Sequence, residues 1–214
     1  MKRMFLAGML VILNLTLTGC GGSSTAPPII TQILSDAVYD GDIAHDTTGT
    51  LTITQGNTQS VFAGIDPATG VEFRAFLDFP LSGTGGVPGN AVIGSAFLDI
   101  VIDSILPNPL NGSISLRIDL VSFQPPTLIE TDFSCTDQPA LETITVSIFQ
   151  ADFGHHISID VTSLMMKAQR LGLPDFQVRI LEDLGSFSPG LIEINDTTGA
   201  YRYLLAPLLQ VSYF

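Results

Sequence analysis

Val71-Glu72-Phe73-Arg74-Ala75-Phe76-Leu77-Asp78-Phe79 is the stretch whose reading decides the fold. In an extended chain Val71, Phe73, Ala75, Leu77 and Phe79 fall on one side, with Glu72, Arg74, Phe76 and Asp78 on the other. Successive side chains of a strand point to opposite faces, so this pattern belongs to a strand that buries one face. A helix would scatter the same apolar residues around its axis.

Outward from that strand the pattern repeats. Residues 60–65 read as a strand, and the breaker-rich turn Asp66-Pro67-Ala68-Thr69-Gly70 joins it to residues 71–79 as a hairpin. Residues 80–90 are rich in Gly and Pro and predict a crossing loop. Ala96, Leu98, Ile100 and Ile102 alternate with Phe97, Asp99, Val101 and Asp103, and Ile114, Leu116, Ile118 and Leu120 alternate in turn. These two runs predict a second antiparallel pair. Alternation returns at Ile144-Val146-Ile148, Ile157-Ile159-Val161, Phe176-Val178-Ile180, Ile192-Ile194 and Leu209-Val211-Tyr213.

Toward the N-terminus, residues 29–34 and 36–39 read as an entering strand. Asp40-Gly41-Asp42 and residues 45–49 read as turns, and residues 50–54 as a further strand. Residues 124–141 carry three prolines and little periodicity, which predicts a long surface excursion. The period changes once: Leu164, Met165, Ala168 and Leu171 suit a short helix, with Thr162 or Ser163 as N-cap and Gly172 past its end. About ten short strands with one short helix predict an all-β, antiparallel, jelly-roll-like β-sandwich, with a closed barrel as the alternative.

The composition agrees. Of 214 residues 45% are hydrophobic, enough for a core, while charged residues are only 14%, against an ordinary level of about a quarter. Thr, Ser, Gly and Pro take the place of charge, which suits short strands and turns. Lys and Arg number 8 against 21 Asp and Glu, a net charge of −13. Without Lys2 and Arg3 the balance becomes −15. Such a surface repels nucleic acid and anionic lipid headgroups, and neither is expected as a direct partner.

Lys2 and Arg3 form a basic start, and residues 4–17 form an apolar run that is short for a transmembrane helix. Leu17-Thr18-Gly19-Cys20 follows and resembles the bacterial lipobox, in which the cysteine is lipidated and becomes the new N-terminus. An ordinary secretory signal with an accidental cysteine is the alternative. The predicted organisation is a lipoprotein signal peptide over residues 1–19, a Gly/Ser/Pro tether over 20–28 and a β-sandwich domain over 29–214. That arrangement implies a membrane partner through a lipid on Cys20, and an address in the cell envelope at the outer membrane or cell surface. With Cys20 lipidated, Cys135 has no partner for a disulfide within the chain.

Candidate binding residues follow from chemistry. Sugar rings stack on aromatic faces while polar side chains fix their hydroxyls, so Phe76 and Phe97, on the polar sides of their strands, are ligand-binding candidates. Arg74 joins them, and Tyr201 and Tyr203 are further aromatic candidates. Covering of Phe76 and Phe97 by loops is the plainer reading for the aromatics. A salt bridge to Glu72 or Asp78 is the plainer reading for Arg74. Asp36, Asp40, Asp42 and Asp46 gather four carboxylates within eleven positions, so a structural calcium ion is a candidate cofactor there, against a plain solvated acidic turn. Otherwise no cofactor is implied. His45, His155 and His156 lack zinc-site spacing, and there is no G-x-S-x-G elbow or phosphate-binding loop. No catalytic residue is predicted.

Several motifs, taken in order, resemble the DNRLRE domain, related to carbohydrate-binding module family 96. They are Arg74-Ala75-Phe76-Leu77-Asp78-Phe79-Pro80-Leu81, Ile93-Gly94-Ser95-Ala96-Phe97-Leu98, Asp160-Val161-Thr162 and Pro207-Leu208-Leu209-Gln210-Val211-Ser212-Tyr213. The resemblance spans residues 36–213. Many members of that family carry Trp in the middle region, and this chain has none. The resemblance implies a secreted or surface β-sandwich, often linked to polysaccharide, and carries over no catalytic residues. The expected function is therefore non-catalytic recognition of polysaccharide, with a structural or adhesive surface protein as the alternative.

Overall fold

The computed structural model describes residues 27–183 and 189–214. Cys20 and the expected signal and tether up to residue 26 lie outside the described residues. The organising strand forms as the alternation requires and becomes β5 (Glu72–Pro80). Eleven further strands surround it. These are β1 (Ile29–Leu34), β2 (Gly41–His45), β3 (Leu51–Gln55), β4 (Ser60–Ile65), β6 (Ile93–Leu106) and β7 (Ser113–Val121). The rest are β8 (Glu142–Phe149), β9 (His156–Asp160), β10 (Asp175–Glu182), β11 (Leu191–Asn195) and β12 (Leu208–Tyr213). Every strand pair is antiparallel, and the fold is all-β and sandwich-like.

β6 holds the two halves together. Its first part lies between β12 and β9, with Leu98 opposite both Leu209 and Ile159. Its second part pairs with β11, and the register slips so that Ile102 faces Ile194 while Ser104 faces Glu193. The extra residue, Asp103, moves the buried phase from Ile100 and Ile102 to Ile105. A bulge of this kind bends a strand and sharpens its twist, which lets one strand pass from one layer into the other. The outcome is a curled sheet. Ala75, Leu77, Phe79, Val178 and Ile180 from one half meet Leu98, Ile100, Leu209 and Val211 from the other in a single core cluster.

This bend also explains a difference from the sequence reading. β6 and β7 were expected to pair, but β7 lies between β10 and β8 while β6 bonds to β12, β9 and β11. The β4–β5 hairpin does form, though only Gly64–Phe73 and Ile65–Glu72 are paired before β4 turns away to β11. Residues 36–39 form a turn, and Gly41, read as part of a turn, lies within β2. Its role is close approach: a Cβ there would stand 2.3 Å from the Thr54 carbonyl oxygen of β3.

The expected helix is α1 (Thr162–Leu171), capped by Gly172 in the left-handed conformation at φ 65°. Its N-cap is Val161, one position earlier than expected, and the Asp160 carboxylate accepts the Thr162 N–H at 2.9 Å. A second, single-turn helix, α2 (Arg202–Leu205), was not expected, because four residues are too few to show a 3.6-residue period. Among the described residues no helix is long and apolar enough to cross a membrane.

Candidate functional site

Phe76 and Phe97 each lie on the polar phase of a strand, and they meet different fates. At the first, residues 122–138 fold back across β5, β10 and β3. Having no ladder of its own, that segment has its backbone groups met by side chains. Gln177 accepts the Phe123 N–H at 2.9 Å, and Gln55 donates to the Pro126 carbonyl and accepts from Leu128. Arg179 donates to the Asp132 carbonyl at 3.0 Å. Beneath this cover Phe76 packs with Ile43 and Leu128 and meets Phe123 edge-on at 6.0 Å between ring centroids.

Phe76 is 2% exposed, which removes it as a stacking platform. Arg74 is fully engaged. It pairs with Glu72 at 2.7 Å, stands 3.9 Å over the Phe133 ring, and donates to the Phe133 carbonyl and to Cys135 Sγ. The candidate ligand role of both residues thus gives way to the plainer readings, covering for Phe76 and a salt bridge to Glu72 for Arg74: the excursion occupies the face a sugar would need. Sequence reasoning missed the anchor of the cover. Arg179 and Asp119 are both wholly buried and bonded at 2.8 Å, and Asp119 also takes Arg117 and Thr143.

The second place stays open. On the outer face of β1, β12, β6 and β9 the registers align Gln32, Gln210, Phe97 and Asp160 in one row. Leu34, Leu208, Asp99 and Ser158 form the next. His156 sits on the same face, and its Nδ1 meets Asp99 Oδ1 at 2.6 Å. With Tyr203, Leu204 and Leu205 of α2 as a wall, these residues, Leu34 and Asp160 excepted, line a groove of about 500 Å³. Phe97 is half-buried in its floor, and Tyr203 is 67% exposed at its edge.

Arg202 fixes the wall. It bonds Asp196 Oδ1 at 2.9 Å, the Thr197 carbonyl at 3.2 Å and Ser35 Oγ at 3.1 Å, and stands 3.7 Å from Asp40 Oδ2. Burial, reinforced by the neighbouring Asp196 carboxylate, drives the Asp40 carboxyl well above its ordinary value. Burial raises Asp196 too, against the pull of Arg202.

The four aspartates proposed for calcium are not brought together. Asp36 accepts the Val38 N–H, and Asp40 accepts the Asp78 N–H at 2.9 Å. Asp42 accepts from Phe62 across the sheet, while Asp46 closes the β2–β3 turn through Thr48 and Thr50 at 2.8 Å each. Each carboxylate serves its own backbone. Among the described residues no group of three or more His, Cys, Asp or Glu side chains is placed to hold a metal ion. The histidines are also apart: His45 packs on Phe133, His155 bonds the Phe153 carbonyl, and His156 faces the groove.

The groove combines one half-exposed ring, one exposed phenol, an oriented imidazole–carboxylate pair and two amides. Such a set can stack on an apolar ring face and bond several hydroxyls at once. The only sequence signal for it was the aromatic phase of Phe97 together with Tyr203. Gln32, Gln210 and His156 come from strands far apart in the chain. The fold is an all-β, sandwich-like curled sheet with a groove on one outer face. In comparisons with known proteins the chain matches no family model and no curated protein.

Proposed function

We propose that the protein is a lipid-anchored, extracytoplasmic, non-catalytic module that binds polysaccharide in the groove floored by Phe97. The observation that carries this reading is the half-buried Phe97 ring in one groove with the Asp99–His156 pair and Tyr203. A saccharide ring stacks on Phe97 and Tyr203, while Asp99, His156, Gln32 and Gln210 exchange hydrogen bonds with its hydroxyls. The resemblance of the strand motifs to the DNRLRE domain and the lipobox-like Leu17-Thr18-Gly19-Cys20 point the same way.

Affinity electrophoresis against acidic and neutral polysaccharides tests the proposal. Retardation by at least one polymer is expected, falling about tenfold in Phe97→Ala and in Tyr203→Ala, with circular dichroism unchanged. A panel that retards nothing overturns the glycan reading and leaves the structural or adhesive alternative.

A further inference from the structure

The end of the sandwich where β1 begins carries an exposed apolar rim. Val92 is 66% exposed, Ile30 62% and Phe214 56%, far above the level at which such side chains are sheltered. They are neighbours. Val92 and Phe214 exchange two backbone hydrogen bonds of 3.0 Å each, and Ile29 lies opposite Tyr213. Ile30 lies opposite Ser212, and the Phe214 ring overlies Gly94. Beside Val92, one shallow hollow continues onto α1 through Ser163, Met166, Gln169 and Arg170, with Met166 itself exposed.

The charges of the molecule sharpen this picture. Among the described residues Arg74, Arg117, Arg179 and Arg202 are each held in an ion pair. Lys167 and Arg170 make none, and both lie on α1 next to Met166. In a chain with 21 acidic residues, both of these cations fall on α1, and Arg170 lines the hollow beside Val92. Glu142 is the one acidic residue lining the same hollow. Scattered exposed hydrophobics need no explanation, but a contiguous set bordered by cations fits a surface that is apolar below and phosphate-bearing above.

The tether reaches the fold at this same end. Residues 21–28 separate Cys20 from Ile29, and eight residues extend to about 28 Å at most. A lipid on Cys20 therefore holds this end within about 28 Å of the bilayer surface. We infer that the rim of Ile29, Ile30, Val92, Met166 and Phe214 rests in the interface of a phospholipid bilayer, with Lys167 and Arg170 on headgroup phosphates. The inference rests on the lipid anchor at Cys20 and is independent of what the groove binds. Docked this way, the domain has a fixed attitude on the membrane.

The chain contains no Trp, so a single introduced indole reports its own surroundings. The full-length, lipid-processed protein carrying Val92→Trp is reconstituted with phosphatidylcholine vesicles, with and without brominated acyl chains. Val38→Trp is the control, an exposed site in the turn beyond the far end of β1. Flotation with the vesicles, compared with a Cys20→Ser chain, reports the anchor. Emission reports the rim. The expected result is a blue shift and strong quenching by brominated lipid at Val92→Trp, none at Val38→Trp, and loss of the quenching when Lys167→Glu and Arg170→Glu are added. Unquenched, water-exposed emission at Val92→Trp in protein that floats with the vesicles overturns the inference while leaving the anchor standing; failure to float, as with the Cys20→Ser chain, overturns the anchor and the inference with it.

Discussion

Phe76 and Phe97 look alike in the sequence and end in opposite situations. Each sits on the polar phase of an alternating strand, one between Ala75 and Leu77, the other between Ala96 and Leu98. Phe76 becomes the centre of a second small core because residues 122–138 return across its face. Phe97 stays half-open because its face receives only the single turn of α2 at one side. The difference teaches that the polar phase of a strand is defined by what lands on it. Side chains of β3, β5 and β10 hold the cover by its backbone, whereas the wall of the groove is held at its rim by the Arg202 contacts.

This contrast can be broken most forcefully at Phe76. Truncation under the cover leaves a cavity that the rigid sheet cannot close, so Phe76→Ala is expected to cost about 4 kcal/mol in urea unfolding. A loss below about 1 kcal/mol would mean the cover is loose. Arg179→Ala comes next, at about 3 kcal/mol. It unpairs the Asp132 carbonyl and takes one partner from buried Asp119, which keeps Arg117 and Thr143. Faster proteolysis within residues 122–138 should accompany it, with the groove unaffected.

Titration separates the regions further. Burial under the cover holds the Asp78 carboxyl up to about 6, despite the Gln177 amide that donates to it at 2.7 Å. A carboxyl whose folded value is raised binds its proton more tightly folded than unfolded. Its contribution is therefore complete below the unfolded value and is lost as pH rises through about 6. Asp42, also raised to about 6 by burial, acts in the same direction. Unfolding midpoints should therefore decline between about pH 4 and pH 7, and Asp78→Asn should recover about 1 kcal/mol at pH 8. A midpoint indifferent to that substitution at pH 8 would contradict the assignment. The smallest effect on stability belongs to Phe97→Ala, about 0.5 kcal/mol, because a half-exposed ring leaves no sealed cavity. Its effect should appear in polysaccharide retention, which makes it the inverse of Phe76→Ala.

Much of the fold was legible because one-sided burial writes a period of two into the chain. β5, β7, β10, β11 and β12 all carry it, and Gly172 marks the end of α1 by a conformation that glycine adopts readily. The candidate site was less legible. Phe97 and Tyr203 could be picked out as aromatics on polar positions. Asp99 and His156 gained meaning only when antiparallel pairing set β9 beside β6, since they stand 57 positions apart. The acidic cluster from Asp36 to Asp46 misled for the same reason: closeness in sequence says nothing of where each carboxylate points. Each one bonds a different backbone segment.

By itself, then, the sequence determined an antiparallel all-β chain, its short helix and the phase of most strands. These depend on local geometry and on which residues prefer to leave water. Tertiary structure alone decided that β6 bends from one layer into the other, that Phe76 is sealed while Phe97 is open, and that Arg179 pairs with Asp119. Those outcomes depend on which distant segment arrives at a surface, and no local periodicity encodes an arrival.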